Sequence, residues 1–113
     1  MVVLESSFYS YTEMARDVLA RHWFTFLLQP LAYLLVSNEY SPEVAIAKIH
    51  PIPLLVIHSR NDTVVPFRFG EKIYELARDP KAFIRVSGGD HIDSTLIDHG
   101  AYRKQVLRYF QTL

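Results

Sequence analysis

Leu54-Leu55-Val56-Ile57-His58-Ser59-Arg60-Asn61-Asp62-Thr63-Val64-Val65-Pro66, followed downstream by Gly88-Gly89-Asp90-His91, is the stretch that decides the fold. Leu54 to Ile57 is continuously apolar and rich in branched side chains, the pattern of a strand buried on both faces of a parallel sheet. Asp62 lies just past its end. A helical stripe of Phe69, Ile73, Leu76 and Ala77 is entered near Pro66 and stopped at Asp79-Pro80. A second strand, Ala82 to Val86, leads into the glycine pair and His91. A strand–helix–strand unit is a right-handed crossover that leaves its strands parallel, so the loops carrying Asp62 and His91 leave the same end of the sheet. Neighbouring strands lie roughly 5 Å apart, which lets the carboxylate reach the imidazole. An acid that orients a histidine, and a histidine that takes a proton from a hydroxyl, form the acid–base half of a nucleophilic triad. Asp62 and His91 are therefore the candidate catalytic residues.

With these residues in place, the chain resembles the C-terminal part of an α/β-hydrolase. Its likeness is to the serine aminopeptidase-like group of esterases, lipases and peptidases. The acid loop Ile57–Pro66 and the histidine loop Gly88–His91 carry the resemblance. Leu4-Glu5-Ser6-Ser7-Phe8 and Ile49-His50-Pro51-Ile52-Pro53 extend it over essentially the whole chain. In that family the triad runs nucleophile, acid, histidine, with the nucleophile in a G-x-S-x-G turn. Asp62 before His91 fits the order, and these 113 residues contain no such turn. The resemblance thus implies a serine hydrolase whose nucleophile and oxyanion hole lie outside this chain, which alone is expected to be inactive. It implies an ester, amide or peptide substrate and no cofactor.

Composition narrows the class. Half of the residues are hydrophobic and 21% are charged, with a formal net charge of zero, so the chain reads as one folded unit at most. No basic block points to nucleic acid or an anionic membrane. The absence of cysteine rules out disulfides, thiolate metal sites and a cysteine nucleophile. Val2-Val3-Leu4 directly after Met1 leaves no room for a leader, and a cytoplasmic location is the default expectation. That opening strand needs a neighbour on its other side, since an unpaired apolar edge invites self-association. Met1 is accordingly read as a truncation point or internal start.

Residues 11–50 are expected to form a helical insertion between the first and second strands. Ser6, Ser7 and Ser10 lack the flanking glycines of a nucleophile turn and are read as loop polarity and capping, Ser10 standing three residues before Glu13 as in a capping box. The spacing predicts a helix from Tyr11 to His22, with Met14, Ala15, Val18, Leu19 and His22 inward and Glu13, Arg16, Asp17 and Arg21 in water. Trp23 to Val36, interrupted by Pro30, is too short for a bilayer, which takes about 20 residues. It is read as core, with lining of an active-site mouth as the alternative that the resemblance suggests. Ser41-Pro42-Glu43 predicts a capped helix start, and His50 a loop residue. His58, His91 and Asp93 lack the spacing of paired metal ligands, and no metal site is assigned. Gly88-Gly89 supplies a tight loop of positive φ. Asp90 is too close in sequence to hold the ring of His91, and Asp93 or Ser94 is expected to cap a turn. The closing helix, from about His99, is expected to turn Tyr102, Val106, Tyr109, Phe110 and Leu113 to the sheet.

The fold class is thus α/β: about three parallel strands flanked by helices, in a single partial domain spanning 1–113. Two rival functions use the same sheet, a non-catalytic fragment or interaction module and a small-ligand binding module.

Overall fold

Apolar runs at Val2–Glu5 (β1), Leu54–Ser59 (β2) and Lys81–Val86 (β3) form one sheet in the order β1-β2-β3. The computed structural model describes residues 1–92, 94 and 96–112. Both strand pairs are parallel, with Glu5 opposite Ile57 and Ser59 opposite Val86. Every residue of β2 is buried, as an uninterrupted apolar run in a central strand requires.

Helices cover both faces. On one, Leu54 and Val56 pack with Val2 and Leu4 against Ile46 of α3 (Pro42–Ile46) and Ile73 of α4 (Phe67–Leu76). On the other, Leu55, Ile57, Ile84 and Val86 meet Tyr102, Val106 and Tyr109 of α5 (Ala101–Gln111). Lys81, at the start of edge strand β3, donates through Nζ to the carbonyls of Tyr74 and Ala77 and so caps the C-terminus of α4. Two residues expected in the core stand outside it: Leu76 and Phe110 are both exposed, each at the margin of its helix's apolar stripe. Leu113 lies outside the described residues.

The insertion departs most from expectation. In α1 (Tyr11–Ala20), Ser10 caps the helix by accepting from the Glu13 N–H. Glu13 itself turns to Arg16 and Tyr33. The buried residue of α1 is Thr12, whose hydroxyl donates to the Val36 carbonyl. Val18 and His22, expected inward, are exposed. The polar side is the one that docks, because Glu13, Arg16 and Asp17 find partners in Tyr33 and Arg68. Residues 23–36 are not core. A 3-10 turn at Phe26–Leu28 is followed by α2 (Gln29–Leu35), begun by Pro30 in its first turn, in which only Ala32 is buried. Trp23 is 89% exposed and Leu27 82%. The sheet has only two faces, both already occupied by α3, α4 and α5, so among the described residues nothing is left to cover a further apolar segment. At α3 the Ser41 side chain does not cap its own helix. It accepts from the Tyr11 N–H and donates to Asn38 Oδ1, tying α1 to α3.

The molecule is a slab of 47 × 32 × 16 Å with a radius of gyration of 15.3 Å. A compact chain of this length is expected at about 13 Å. Among the described residues no helix is long and apolar enough to cross a membrane.

Candidate active site

The crossover from β2 through α4 to β3 brings the two predicted loops together at one end of the sheet. His91 Nδ1 lies 3.0 Å from Asp62 Oδ2. A carboxylate only accepts, so Nδ1 carries the proton and Nε2 keeps the lone pair of a base. The carboxylate side chain is sealed from solvent, whereas the imidazole is about a quarter exposed. This is the asymmetry that an orienting acid and a working base require.

Local hydrogen bonds explain why Asp62 stays put. Its Oδ1 accepts from the N–H groups of Val64 and Val65 at 2.9 and 2.8 Å, an Asx turn that folds the loop around the carboxylate. Arg21, at the end of α1, donates to the carbonyls of Thr63 and Val64. Burial alone would push the carboxyl upward. The hydrogen bonds from His91, the Val65 and Val64 amides and the Ser6 hydroxyl outweigh it and hold Asp62 below the ordinary aspartate value.

Several residues on the histidine loop do structural work that their sequence positions only hinted at. Gly88 and Gly89 have φ of 84° and 69°, the left-handed turn expected of them. Ser59, on β2, donates to both of their carbonyls. Asp90 accepts from the backbone N–H and the hydroxyl of Thr63, which hold its carboxyl below the usual range and staple the two loops. The hydroxyl of Ser94 donates to the Glu5 carboxylate and ties the loop to β1. Asp93, the third member of the discounted metal grouping, lies outside the described residues. His50 is an exposed loop residue with Nδ1 2.8 Å from the Asp79 carbonyl.

Ser6 is the residue whose part was missed. Expected as loop polarity, it is buried, adopts φ of 47°, and turns its hydroxyl to Asp62 while accepting from the Ile92 N–H at 3.4 Å. Its only sequence signal was a polar residue directly after a short strand. Ser6→Ala is expected to raise the Asp62 carboxyl toward its ordinary value, read from the pH dependence of the side-chain carboxyl carbon signal. An unmoved midpoint would show the hydroxyl to be idle.

A polar cleft of about 350 Å³ lies between α1 and α4, lined by Tyr9, Glu13, Arg16, Asp17, Arg68 and Phe69. Neither Asp62 nor His91 lines it, and four of its charges pair within it as Glu13–Arg16 and Asp17–Arg68.

Fold and site together define the class: this is an α/β-hydrolase-like fold, the fold of the solved structures that superpose on it. One of these is the esterase domain of a Rhodothermus marinus protein, 27% identical with a TM-score of 0.54, covering 65% of this chain and 30% of that one. The uncharacterized protein YfhR of Escherichia coli K12 is 38% identical over 109 residues, 96% of this chain. The lysophosphatidylserine lipase ABHD12 of Danio rerio is 50% identical over a segment of 30 residues, which is 26% of this chain and 8% of that protein. The chain spans 35% of the length of its YfhR relatives. No protein-family model matches it.

Proposed function

We propose that this chain supplies the acid and the histidine of a Ser-Asp-His hydrolytic triad, Asp62 and His91, with the nucleophile contributed by a segment outside these residues. The observation that carries the reading is the 3.0 Å contact between Asp62 Oδ2 and His91 Nδ1 at the mouth of two parallel neighbouring strands. The esterase domain on which the fold superposes supports it.

His91 Nε2 takes the proton of the serine hydroxyl as the oxygen attacks an ester or amide carbonyl, and Asp62 stabilises the imidazolium. The same proton then passes to the leaving alcohol or amine as the tetrahedral intermediate collapses to an acyl-enzyme. Water, activated by His91, releases the acid. Oxyanion-hole donors, worth about 3 kcal/mol each, come from the nucleophile-bearing segment, and no cofactor enters the reaction.

A fluorophosphonate probe tests this. The chain alone stays unlabelled, whereas the protein that carries the nucleophile is labelled, and His91→Ala abolishes the labelling. Labelling that survives His91→Ala would sink the reading.

A second feature bears on association. β1 is an edge of the sheet, with its Val3 exposed and the apolar residues of 23–35 other than Ala32 open to solvent. Such an edge recruits a further strand, from the missing segment or from a second copy. The isolated chain is therefore expected to dimerise or aggregate, and a monomer in sedimentation velocity at tens of micromolar would contradict this.

A further inference from the structure

His58 is the one histidine sealed inside the molecule, and the mechanism above does not use it. It stands on β2, four residues before Asp62, with its side chain fully buried. Its Nε2 lies 2.8 Å from the Val65 carbonyl and 3.4 Å from Asp62 Oδ2. Both neighbours are acceptors, so geometry assigns the proton to Nε2. Nδ1 is buried and has no hydrogen-bond partner among the described residues. A proton on Nδ1 would be a buried donor with no acceptor among the described residues, which favours the Nε2–H tautomer.

The Val65 peptide is thereby gripped at both ends. Its N–H donates to Asp62 Oδ1, and its carbonyl accepts from His58. The same nitrogen stands 3.4 Å from the carboxylate oxygen that holds His91. Phe67 meets the imidazole edge-on at 5.9 Å between centroids. Gly70 leaves room on the other side, where a Cβ would come within 2.4 Å of Nδ1. The ring has one place to be.

We propose that His58 is a positioning residue for the Asp62–His91 pair, fixing the acid loop through the Val65 carbonyl with its Nε2 standing 3.4 Å from Asp62 Oδ2. This inference rests on the hydrolytic reading of that pair. It touches neither substrate nor the reacting atoms; it acts through Asp62.

The test compares His58→Phe, which fills the space without a donor, with His58→Gln, whose amide can still donate to the Val65 carbonyl. Two readouts are taken: the His91 ring Nδ1–H signal in proton–nitrogen NMR of this chain, and ester hydrolysis by the protein carrying the nucleophile. His58→Phe is expected to broaden or abolish the signal and to lower kcat roughly ten- to a hundredfold at unchanged KM, the scale of a small misplacement of a catalytic group. His58→Gln is expected to recover most of both. If His58→Phe leaves signal and kcat as in the parent, or His58→Gln is as impaired as His58→Phe, the proposal falls. Should His58→Phe not fold, His58→Met replaces it as a flexible filler without an N–H donor. If neither folds, His58 is structural and the proposal also falls. Failure of the underlying reading looks different: the parent's Nδ1–H signal would be indifferent to Asp62→Asn.

Discussion

Under the proposed triad, Asp62→Asn is expected to cost about four orders of magnitude in kcat for ester hydrolysis by the protein that carries the nucleophile, the scale on which losing the orienting carboxylate acts in such triads. The local geometry gives the reason. The Oδ1 position receives two backbone N–H groups, from Val64 and Val65, and only the amide oxygen of asparagine can accept them. The amide nitrogen must then take the Oδ2 position, facing His91 Nδ1 and the Nε2–H of His58. Facing His91 it donates, which drives the imidazole to its other tautomer and puts the proton on the nitrogen that should be the base. Facing His58 it sets donor against donor. Ring nitrogen shifts would report the tautomer, and kcat the cost. A rate within tenfold of the parent would remove Asp62 from the mechanism.

The same substitution has a signature in stability. The folded Asp62 carboxyl titrates below its ordinary value of 3.8. A carboxyl depressed on folding adds stability that is fully present above the unfolded value and disappears as pH falls through the lower folded value. Stability curves of the parent and Asp62→Asn should therefore draw together below about pH 4, in urea titrations at stepped pH. A gap that stays constant to pH 2 would mean the hydrogen bonds do not depend on the charge.

The second large effect is expected at Gly70. Alanine is favoured over glycine inside a helix by about 1 kcal/mol, so an exposed site would gain. Here a Cβ would meet His58 Nδ1 at 2.4 Å, Cγ at 2.8 Å and Cβ at 2.9 Å. The imidazole is held by Val65 and Phe67 and cannot swing away. Overpacking costs typically 1–3 kcal/mol, occasionally more, and the constrained ring puts this site at the upper end. The net expectation is a loss of about 2 kcal/mol, or roughly 10 °C in Tm for a chain of this size. Thermal unfolding followed by circular dichroism reads it directly. A rise in Tm would mean that helix propensity outweighs the contact and that the His58 pocket yields.

The α/β order was legible in the sequence because each element carried a local signal. Leu54–Ile57 is apolar without interruption, α4 repeats at helical spacing, and Gly88-Gly89 marks a turn. The meeting of Asp62 and His91 followed from the handedness of one crossover, a rule of backbone chirality that needs no side-chain detail. Periodicity identified the apolar side of α1 but could not say what would cover it. Thr12, Glu13, Arg16 and Asp17 dock because Asn38, Tyr33 and Arg68 arrive from elsewhere in the chain to satisfy them.

The amino-acid sequence by itself determined the strands, the crossover and the meeting of Asp62 with His91, since each depends on neighbours within a few residues or on chirality. Only the tertiary structure decided that Ser6 and His58 close around Asp62, that Gly70 makes room for the ring, and that residues 23–35 stay uncovered. Those outcomes depend on which groups, distant along the chain, compete for the same buried space and the same hydrogen bonds.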